Sequence, residues 1–366
     1  MAVGAVVLSI GMVGIFAAPA GMTLVGNLAW VIAFFGLATV GFTMVAIPYG
    51  AQAGEITQDP KERSAMTGWR MAFASVGILI GGAVIPGLAG EMGYAAAAFA
   101  VTPLMIGAVW VSLWATRNAP RIATATTVDL RRMYQLVLRN RPFMCLVALY
   151  GVMTFAIALI TAGLPLAAIY LIVDNGATAL SGAAAALSTL SLMFAAFVVG
   201  AILSQVIWVL LSSRFGKSNT LAAGLCLYAV LLVALYNSLP SVNVTAIAAL
   251  FVLAGIANGS YQQIPWAMYP DLMDVTRSES GQAIEGAFSA VWLFGQKIAN
   301  ALAPAVLGLI LAQSGWLAST GDIVTQNAQA LSALHVVISL VPAAILVTAA
   351  FCVKWIYKPM VSHAGR

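Results

Sequence analysis

The sequence predicts an all-α membrane protein made of two helical bundles, and three observations support this prediction. Apolar residues make up 62% of the 366 residues, and Asp, Glu, Lys and Arg only 7%, whereas a soluble chain has roughly 25% charged residues. The charges are clustered, and the apolar stretches between them are long enough to cross the hydrocarbon core. A polar passage that follows one apolar stretch also recurs later in the chain, as expected for an internal repeat.

The apolar stretches predict about ten transmembrane helices. Their expected bounds are 2–20, 24–53, 68–90, 94–116, 143–173, 184–213, 220–237, 244–269, 285–314 and 333–356. The alternation with period two that is typical of membrane barrels is absent from the sequence. Because no basic residue precedes the first stretch, we interpret it as a transmembrane helix and not as a signal peptide.

Lys and Arg are unevenly distributed over the connections between these helices. They follow the second, fourth, sixth and eighth helices and end the chain, whereas the opposite connections have none. Basic connections stay in the cytoplasm, so both termini of this multi-pass protein are predicted to lie there, inside a plasma membrane or bacterial inner membrane. The net charge of +5 then reflects topology. We expect a monomer that contacts membrane lipids, and we expect no nucleic-acid partner.

Sequence signatures of catalysis or metal binding are absent. Cys145, Cys226 and Cys352 lie in or at the ends of apolar stretches, which is typical of packed thiols. His335 and His363 are too few and too far apart for a metal site. The sequence also has no Gly-rich phosphate loop or Ser/His/Asp arrangement after a recognisable strand. We therefore predict that the protein is not an enzyme and has no cofactor and no metal centre.

Two polar passages carry the internal repeat. Ile47-Pro48-Tyr49 in the first corresponds to Ile264-Pro265-Trp266 in the second, and parallel repeats of this length are typical of two-bundle transporters. Two predicted helices precede the first passage within its half, but four precede the second. We therefore expect that the first two helices are missing. The predicted parts are an incomplete N-terminal bundle of four helices, a cytoplasmic linker and a C-terminal bundle of six helices, at 1–116, 117–142 and 143–366.

The linker contains a predicted amphipathic helix. Asp129 is a suitable N-cap, and the apolar residues that follow share one face; they are Leu130, Met133, Leu136 and Val137. We interpret this segment as a connector at the membrane surface. The alternative is a role in lipid signalling or partner binding.

Two motifs resemble the glycoside-pentoside-hexuronide:cation symporter family, the melibiose-permease-like branch of the major facilitator superfamily. They are IPYGAQAGEITQDPKERSAMTGWRMAFASVG and YPDLMDVTRSESGQAIEGAFSAVWLFGQKIANALAPAVLGLIL. The resemblance implies a twelve-helix fold, in which the predicted helices correspond to helices 3–12, and cation-coupled sugar transport. The chain departs from the family at Ala46, where sugar transporters commonly have an acidic residue. It departs again at Gln282 and Ala283, where a basic residue is usual.

Lys297 is the strongest candidate for a functional residue. It lies inside the ninth predicted helix, about 18 Å from Glu285 at the helical rise of about 1.5 Å per residue. An ammonium at this depth costs at least about 2.5–3.5 kcal/mol. Ser289, Gln296 and Asn300 fall on the same broad stripe, which predicts that Lys297 faces a polar cavity. The alternative is a structural cation paired with a carboxylate or a helix C-terminus.

Amide and aromatic side chains are further candidates for the solute and cation pathway. Asn258, Gln262 and Trp266 lie on the eighth predicted helix, where amides suit sugar hydroxyls and rings suit sugar CH faces. The alternative is interhelical hydrogen bonding beside a Pro kink. Thr43 and Tyr49 occupy the matching place in the first half. By the resemblance, Thr43 would lie near a Na⁺ site, although a lone Thr commonly bonds its own backbone.

Charged residues at equivalent places in the two passages predict a cytoplasmic gate. Its members are Glu55, Arg70, Asp271 and Asp274. Opposite charges on two bundles can pair when one side of the cavity is closed and separate when it opens. Ordinary solvated loop charge is the alternative.

The sequence as a whole predicts a secondary active transporter, with symport of a sugar or glycoside coupled to Na⁺ or H⁺ by alternating access. Two alternatives remain at this point. Because Ala46 removes a carboxylate that a sugar site would use, the solute could instead be an amphiphile or another organic compound. The expected absence of two helices would also suit a truncated, non-transporting membrane protein.

Overall fold

The computed structural model describes residues 1–56, 60–119, 130–280, 285–318 and 323–364, and these are almost entirely helical. Two π-helical segments, Ile80–Val84 and Val353–Tyr357, continue neighbouring helices without a break. The α-helices in the described residues are α1 Ala2–Phe16, α2 Leu24–Ile56, α3 Pro60–Leu79, α4 Ile85–Met92, α5 Tyr94–Ala115, α6 Leu130–Arg139, α7 Arg141–Tyr170, α8 Ser181–Leu187, α9 Thr189–Phe215, α10 Lys217–Ser238, α11 Val244–Ser280, α12 Glu285–Gln313, α13 Ala328–Ile338, α14 Leu340–Cys352 and α15 Lys358–Ala364.

Eight helical stretches in the described part of the chain are long and apolar enough to cross a membrane. They correspond to the second and to the fourth through tenth predicted helices. The first predicted helix is the shorter α1, which ends at Phe16; Pro19 follows soon after and cannot continue a helix. The third predicted helix coincides with α3, the π-helical segment and α4. The charged first turn of α3 lowers its mean hydropathy.

The C-terminal half, from α7 onward, contains the packed core. In this half α9 packs against α11, α7 against α12, and α10 against α11 and α14. Glycine permits the close approach of α9 and α11, since a Cβ on Gly200 would lie 2.0 Å from the Val252 carbonyl oxygen. Small residues let helix backbones approach closely in membranes, so this contact is determined by the sequence of both helices.

The N-terminal half contacts the C-terminal half through α2, α3 and the π-helical segment Ile80–Val84. The helix α2 packs against α12, α3 packs against α9 and α11, and the π-helical segment packs against α9. Of the residues in the α2 span only 6% are buried, compared with 56% in the α11 span, so α2 turns most of its apolar surface outward. We call the region where α2 and α3 meet α11 and α12 the seam.

The linker helix α6 packs on the C-terminal half. Val137 is fully buried there and Met133 packs beside it. Asn140, between α6 and α7, donates from Nδ2 to Thr276 Oγ1 on α11 at 2.6 Å. These contacts fix α6 to the C-terminal half. The expected N-cap, Asp129, lies outside the described residues.

Candidate functional site

Five aromatic side chains of α7, α11 and α12 form a continuous stack, which we call the aromatic cluster. It consists of Tyr150, Tyr261, Trp266, Tyr269 and Trp292. The Trp292 ring lies between Tyr150 and Tyr269, with ring centroids 4.3 and 5.2 Å apart. Tyr261 stacks on Tyr150 at 5.4 Å, and Trp266 meets Tyr150 edge-on at 6.4 Å. Both arrangements are favoured for aromatic pairs, so the cluster is a broad surface of fixed shape on the C-terminal half.

Two contacts join the N-terminal half to the aromatic cluster. The guanidinium carbon of Arg70 on α3 lies 4.3 Å from the Trp266 ring centroid and 4.8 Å from that of Tyr49 on α2. These distances are within the range of cation–π attraction. The Tyr269 hydroxyl donates to the Gly50 carbonyl oxygen on α2 at 3.2 Å. Among the described residues, the halves therefore meet here through a cation between two rings and through the Tyr269–Gly50 hydrogen bond.

The Tyr150 hydroxyl connects two residues that the sequence predicts as part of the pathway. It accepts hydrogen bonds from Trp266 Nε1 at 3.0 Å and from Gln296 Nε2 at 3.3 Å. Trp266 belongs to α11 and Gln296 to α12. Tyr150 thus holds Trp266 on α11 and Gln296 on α12 at the same level of the seam.

Lys297 crosses the seam to α2. Its Nζ donates to Thr43 Oγ1 at 2.6 Å and lies 5.0 Å from the Phe42 ring centroid. Thr43 in turn donates to the Thr39 carbonyl oxygen at 2.7 Å. Its hydroxyl therefore donates one hydrogen bond to the backbone and accepts one from the Lys297 ammonium. A Na⁺ ion bound to the remaining lone pair of this hydroxyl would lie beside the Lys297 ammonium, and the two cations would repel each other.

A groove of about 380 Å³ opens beside Lys297. One wall belongs to α2 and the other to α12, and α6 contributes one residue. Apolar side chains make up most of the lining, which consists of Thr43, Ile47, Tyr134, Ala290, Val291, Leu293, Phe294 and Lys297. We call this cavity the Lys297 groove.

Five buried polar atoms on α11 and α12 have no hydrogen-bond partner among the described residues. They are Asn258 Oδ1, Gln262 Oε1, Gln263 Oε1, Ser289 Oγ and Trp292 Nε1. Asn258 and Gln262 share a helical stripe with Trp266, and Ser289 and Trp292 share one with Gln296. Buried polar groups are nearly always hydrogen-bonded. These atoms therefore offer acceptors and donors to a ligand or to water.

The structure does not bring all of the predicted pathway residues together. Asn300 is exposed on α12, and among the described residues it makes no hydrogen bond with the aromatic cluster. The sequence does not predict Tyr150 and Trp292 as site residues, although both are central to the stack. Their only sequence signal is the presence of aromatic residues in apolar helices.

Two of the four predicted gate residues, Asp271 and Arg70, contact groups other than a charge on the opposite half. Asp271 pairs with Lys217 on α10 at 2.6 Å, and Lys217 also donates to the Ala267 carbonyl oxygen at 2.9 Å. This pair lies within the C-terminal half and does not cross the seam. The side chains of Glu55 and Asp274 lie outside the described part of the chain. A charge pair across the seam stays a prediction for them, whereas Arg70 contacts rings.

Replacing Asp271 with Asn is expected to have a small effect on stability. The two side chains of the pair are 38% and 57% exposed, and exposed ion pairs contribute about 0–1 kcal/mol. Thermal unfolding of the purified protein should therefore show a loss of no more than about 1 kcal/mol. A loss well above about 1 kcal/mol would contradict this expectation. Separately, a clear change in cysteine accessibility at the ends of α2 and α11 would support a gating role for Asp271.

The fold and the seam define a class, namely a polytopic helical membrane protein of the major facilitator type. The Escherichia coli fucose transporter FucP, solved in an outward conformation, aligns with a TM-score of 0.59 over 96% of this chain and 82% of FucP, at 13% identity. At this identity the likeness concerns the fold alone. It confirms the prediction of an all-α major-facilitator fold.

The family follows from a match between residues 1–358 and the family described as "MFS/sugar transport protein". The chain belongs to this family, within the glycoside-pentoside-hexuronide:cation symporters of the major facilitator superfamily, whose members are transporters and not enzymes. This confirms the resemblance carried by the two motifs.

Two relatives from Escherichia coli K12 extend the match over most of the chain. The putative glycoside/cation symporter YagG is 24% identical over 342 residues, which is 91% of this chain and 70% of YagG. A glucuronide carrier protein homolog is 26% identical over 328 residues, which is 86% of this chain and 67% of that protein.

Proposed function

We propose that the protein carries a sugar or glycoside across the membrane together with Na⁺ or H⁺, by alternating access to a site in the seam. The observation that carries this proposal is the set of five buried polar atoms of α11 and α12, beside the aromatic cluster, that have no hydrogen-bond partner among the described residues. Sugar hydroxyls both donate and accept hydrogen bonds, and sugar CH faces pack on rings. Amides, a hydroxyl and an indole N–H next to a stack of rings match those requirements.

Alternating access requires two halves that can separate at one end of the seam. In this structure the halves meet there through the Arg70 ring contacts and the Tyr269–Gly50 hydrogen bond. Such contacts can break and reform without rearranging the core of either half. We further propose an inner-membrane location with both termini in the cytoplasm, as the basic connections predict, and a monomer that acts in contact with lipid.

Uptake measurements on the purified chain in proteoliposomes test this proposal. Radiolabelled neutral and acidic glycosides would be offered under an imposed Na⁺ gradient and, separately, an imposed pH gradient. Accumulation of at least one of them, driven by one of the two ions, is the expected result. Lack of accumulation of every glycoside under both gradients would contradict the proposed function.

Replacing Gln262 with Leu is expected to weaken transport. The substitution removes one acceptor and leaves a substrate hydroxyl unpaired, which costs about 1–3 kcal/mol, roughly 5- to 150-fold in affinity. The KM for the accumulated glycoside should rise accordingly. Gln135→Leu on the exposed face of α6 is the matched control and should leave the KM unchanged. An unaltered KM in Gln262→Leu would exclude this side chain from the site.

A further inference from the structure

We propose that Tyr150 is a positioning residue of the site in the seam, because its hydroxyl determines which atoms of Gln296 and Trp266 a solute can meet. With Tyr150 in place, Gln296 offers an acceptor oxygen and Trp266 offers the face of its ring. The site is therefore selective for a solute hydroxyl that donates a hydrogen bond to Gln296. This inference rests on the proposed function, since it concerns the same site.

Tyr150 is held firmly within the C-terminal half. It is 2% exposed, and its ring stacks on those of Trp292 and Tyr261, with centroids 4.3 and 5.4 Å apart. Trp292 stacks in turn on Tyr269, and stacked arrangements of this kind are favourable. Because a phenolic oxygen lies in the plane of its ring, the stacking also fixes the place of the hydroxyl. Groups that bond to this hydroxyl are fixed with it.

The hydrogen bonds of this hydroxyl determine the orientation of the Gln296 amide. A hydroxyl oxygen can accept two hydrogen bonds, and this one accepts from Trp266 Nε1 at 3.0 Å and from Gln296 Nε2 at 3.3 Å. The amide nitrogen is thus turned toward Tyr150, and Oε1 is turned away from it. Gln296 is partly exposed, and the next residue, Lys297, crosses the seam to Thr43. Oε1 is therefore available as an acceptor at the level of the seam.

The same hydroxyl determines which part of Trp266 a solute meets. An indole N–H can only donate, and Tyr150 accepts it. The Trp266 ring is also nearly perpendicular to the rings of Tyr269 and Trp292, at 80° and 72°. Its N–H edge is thus turned into the aromatic cluster, whereas the guanidinium carbon of Arg70 lies 4.3 Å from its ring centroid. A solute in the seam would meet the ring face and not the N–H group.

Removing the hydroxyl while keeping the ring releases both groups. Tyr150→Phe preserves the stacking, but the Gln296 amide then loses its partner and can turn over about its last torsion, which is roughly two-fold. It can then offer either its oxygen or its N–H group to the solute. Fluorine in place of a solute hydroxyl cannot donate a hydrogen bond. The wild-type site should therefore reject such an analogue, and the variant should tolerate it.

Monodeoxyfluoro analogues of the accumulated glycoside test this selectivity in proteoliposomes containing the full chain. Each analogue has fluorine in place of one hydroxyl. For at least one position, the wild type should have a KM at least about fivefold higher for the analogue than for the parent, because Gln296 Oε1 is left unpaired. Tyr150→Phe should bring this ratio close to one. It should also raise the KM of the parent with little change in kcat, as expected when binding is weakened.

Tyr228→Phe is the matched control for loss of a buried tyrosine hydroxyl. Tyr228 is 1% exposed and lines a small apolar cavity beside α10, which does not belong to the seam. This variant should retain the wild-type KM ratio, whereas Gln296→Leu should bring the ratio close to one. Equal KM values for the parent and every analogue in the wild type would overturn the selectivity. A wild-type ratio in Tyr150→Phe would overturn the positioning role, and glycoside transport would stand in both cases.

A spectroscopic measurement tests the positioning role without transport. In protein labelled with a fluorinated tryptophan, the fluorine NMR signal of Trp266 is assigned from its loss in Trp266→Phe. Tyr150→Phe should shift or split this signal, since the indole loses its acceptor, and Tyr228→Phe should leave it in place. An unchanged signal in Tyr150→Phe would overturn the inference even where glycoside uptake is observed. If every glycoside fails to accumulate, the proposed function fails, and this measurement still decides whether Tyr150 holds Trp266.

Discussion

Replacing Arg70 with Gln is expected to reduce gradient-driven uptake at least about fivefold. The guanidinium of Arg70 bridges the halves by contacting Tyr49 on α2 and Trp266 on α11, at 4.8 and 4.3 Å. Each such contact contributes about 0.5–2 kcal/mol, and two of them can shift a two-state equilibrium about 5- to several-hundredfold. A transport cycle needs both states to be populated, so loss of these contacts should slow it.

Initial uptake rates and thiol labelling together measure this effect. In a cysteine-free background, Ala46→Cys on α2 should react faster with a hydrophilic thiol reagent once Arg70 is replaced. Arg117→Gln is the matched control, because Arg117 is exposed in the turn that follows α5 and lies over one ring of that helix, Trp114, at 5.5 Å. Arg117→Gln and the wild type should have the same initial uptake rate and the same rate of thiol labelling. Wild-type uptake and labelling in Arg70→Gln would show that the ring contacts do not hold the seam.

The sequence predicted Lys297 because a charge inside an apolar helix stands out in composition alone. Its partner Thr43 was also predicted as a pathway residue, since the internal repeat gives it a position that matches the polar residues of the eighth predicted helix. Tyr150 and Trp292 were not predicted. Trp110 and Trp355 also lie in apolar helices and are 53% and 62% exposed, so local sequence does not distinguish an aromatic residue of the cluster from one that faces lipid. That distinction depends on how α7, α11 and α12 pack.

The ion pair of Asp271 shows a second limit of sequence patterns. Its position in the repeat suggested a partner across the seam, but Lys217, 54 residues earlier, lies 2.6 Å away. The proximity arises because α10 begins beside the end of α11, which the repeat does not encode. Arg70 was assigned to the same gate by its charge, yet its neighbours at this level of the seam are the rings of Tyr49 and Trp266.

The transmembrane stretches were predicted well because hydropathy is a local property, but the helix ends were not. The second and eighth predicted helices ended at 53 and 269, whereas α2 continues to Ile56 and α11 to Ser280. Both polar passages therefore begin as helix, and α11 continues through Pro265 and Pro270. Polarity marks where a helix leaves the hydrocarbon core, whereas its end depends on capping and packing.

Replacing Gly255 with Ala is expected to destabilise the C-terminal half strongly. A Cβ at this position would lie 1.9 Å from the Phe197 carbonyl oxygen on α9 and 3.0 Å from the Ala201 backbone nitrogen. Overpacking costs about 1–3 kcal/mol, and we expect about 3 kcal/mol here, because backbone atoms cannot move aside by rotating a side chain. Thermal or denaturant unfolding in detergent, followed by tryptophan fluorescence, measures the loss.

The same substitution should also affect transport, because Gly255 precedes Asn258 and Gln262 on α11. To relieve the clash, α11 must move away from α9, and this displaces the unpartnered amides of the site by the same distance. Gly107→Ala in α5 is the matched control, since a Cβ there meets nothing within 4 Å, and it should preserve both stability and uptake. Equal stability of the two variants would mean that α9 and α11 do not pack as closely as described. The positions of Asn258 and Gln262 on α11 would then also be wrong.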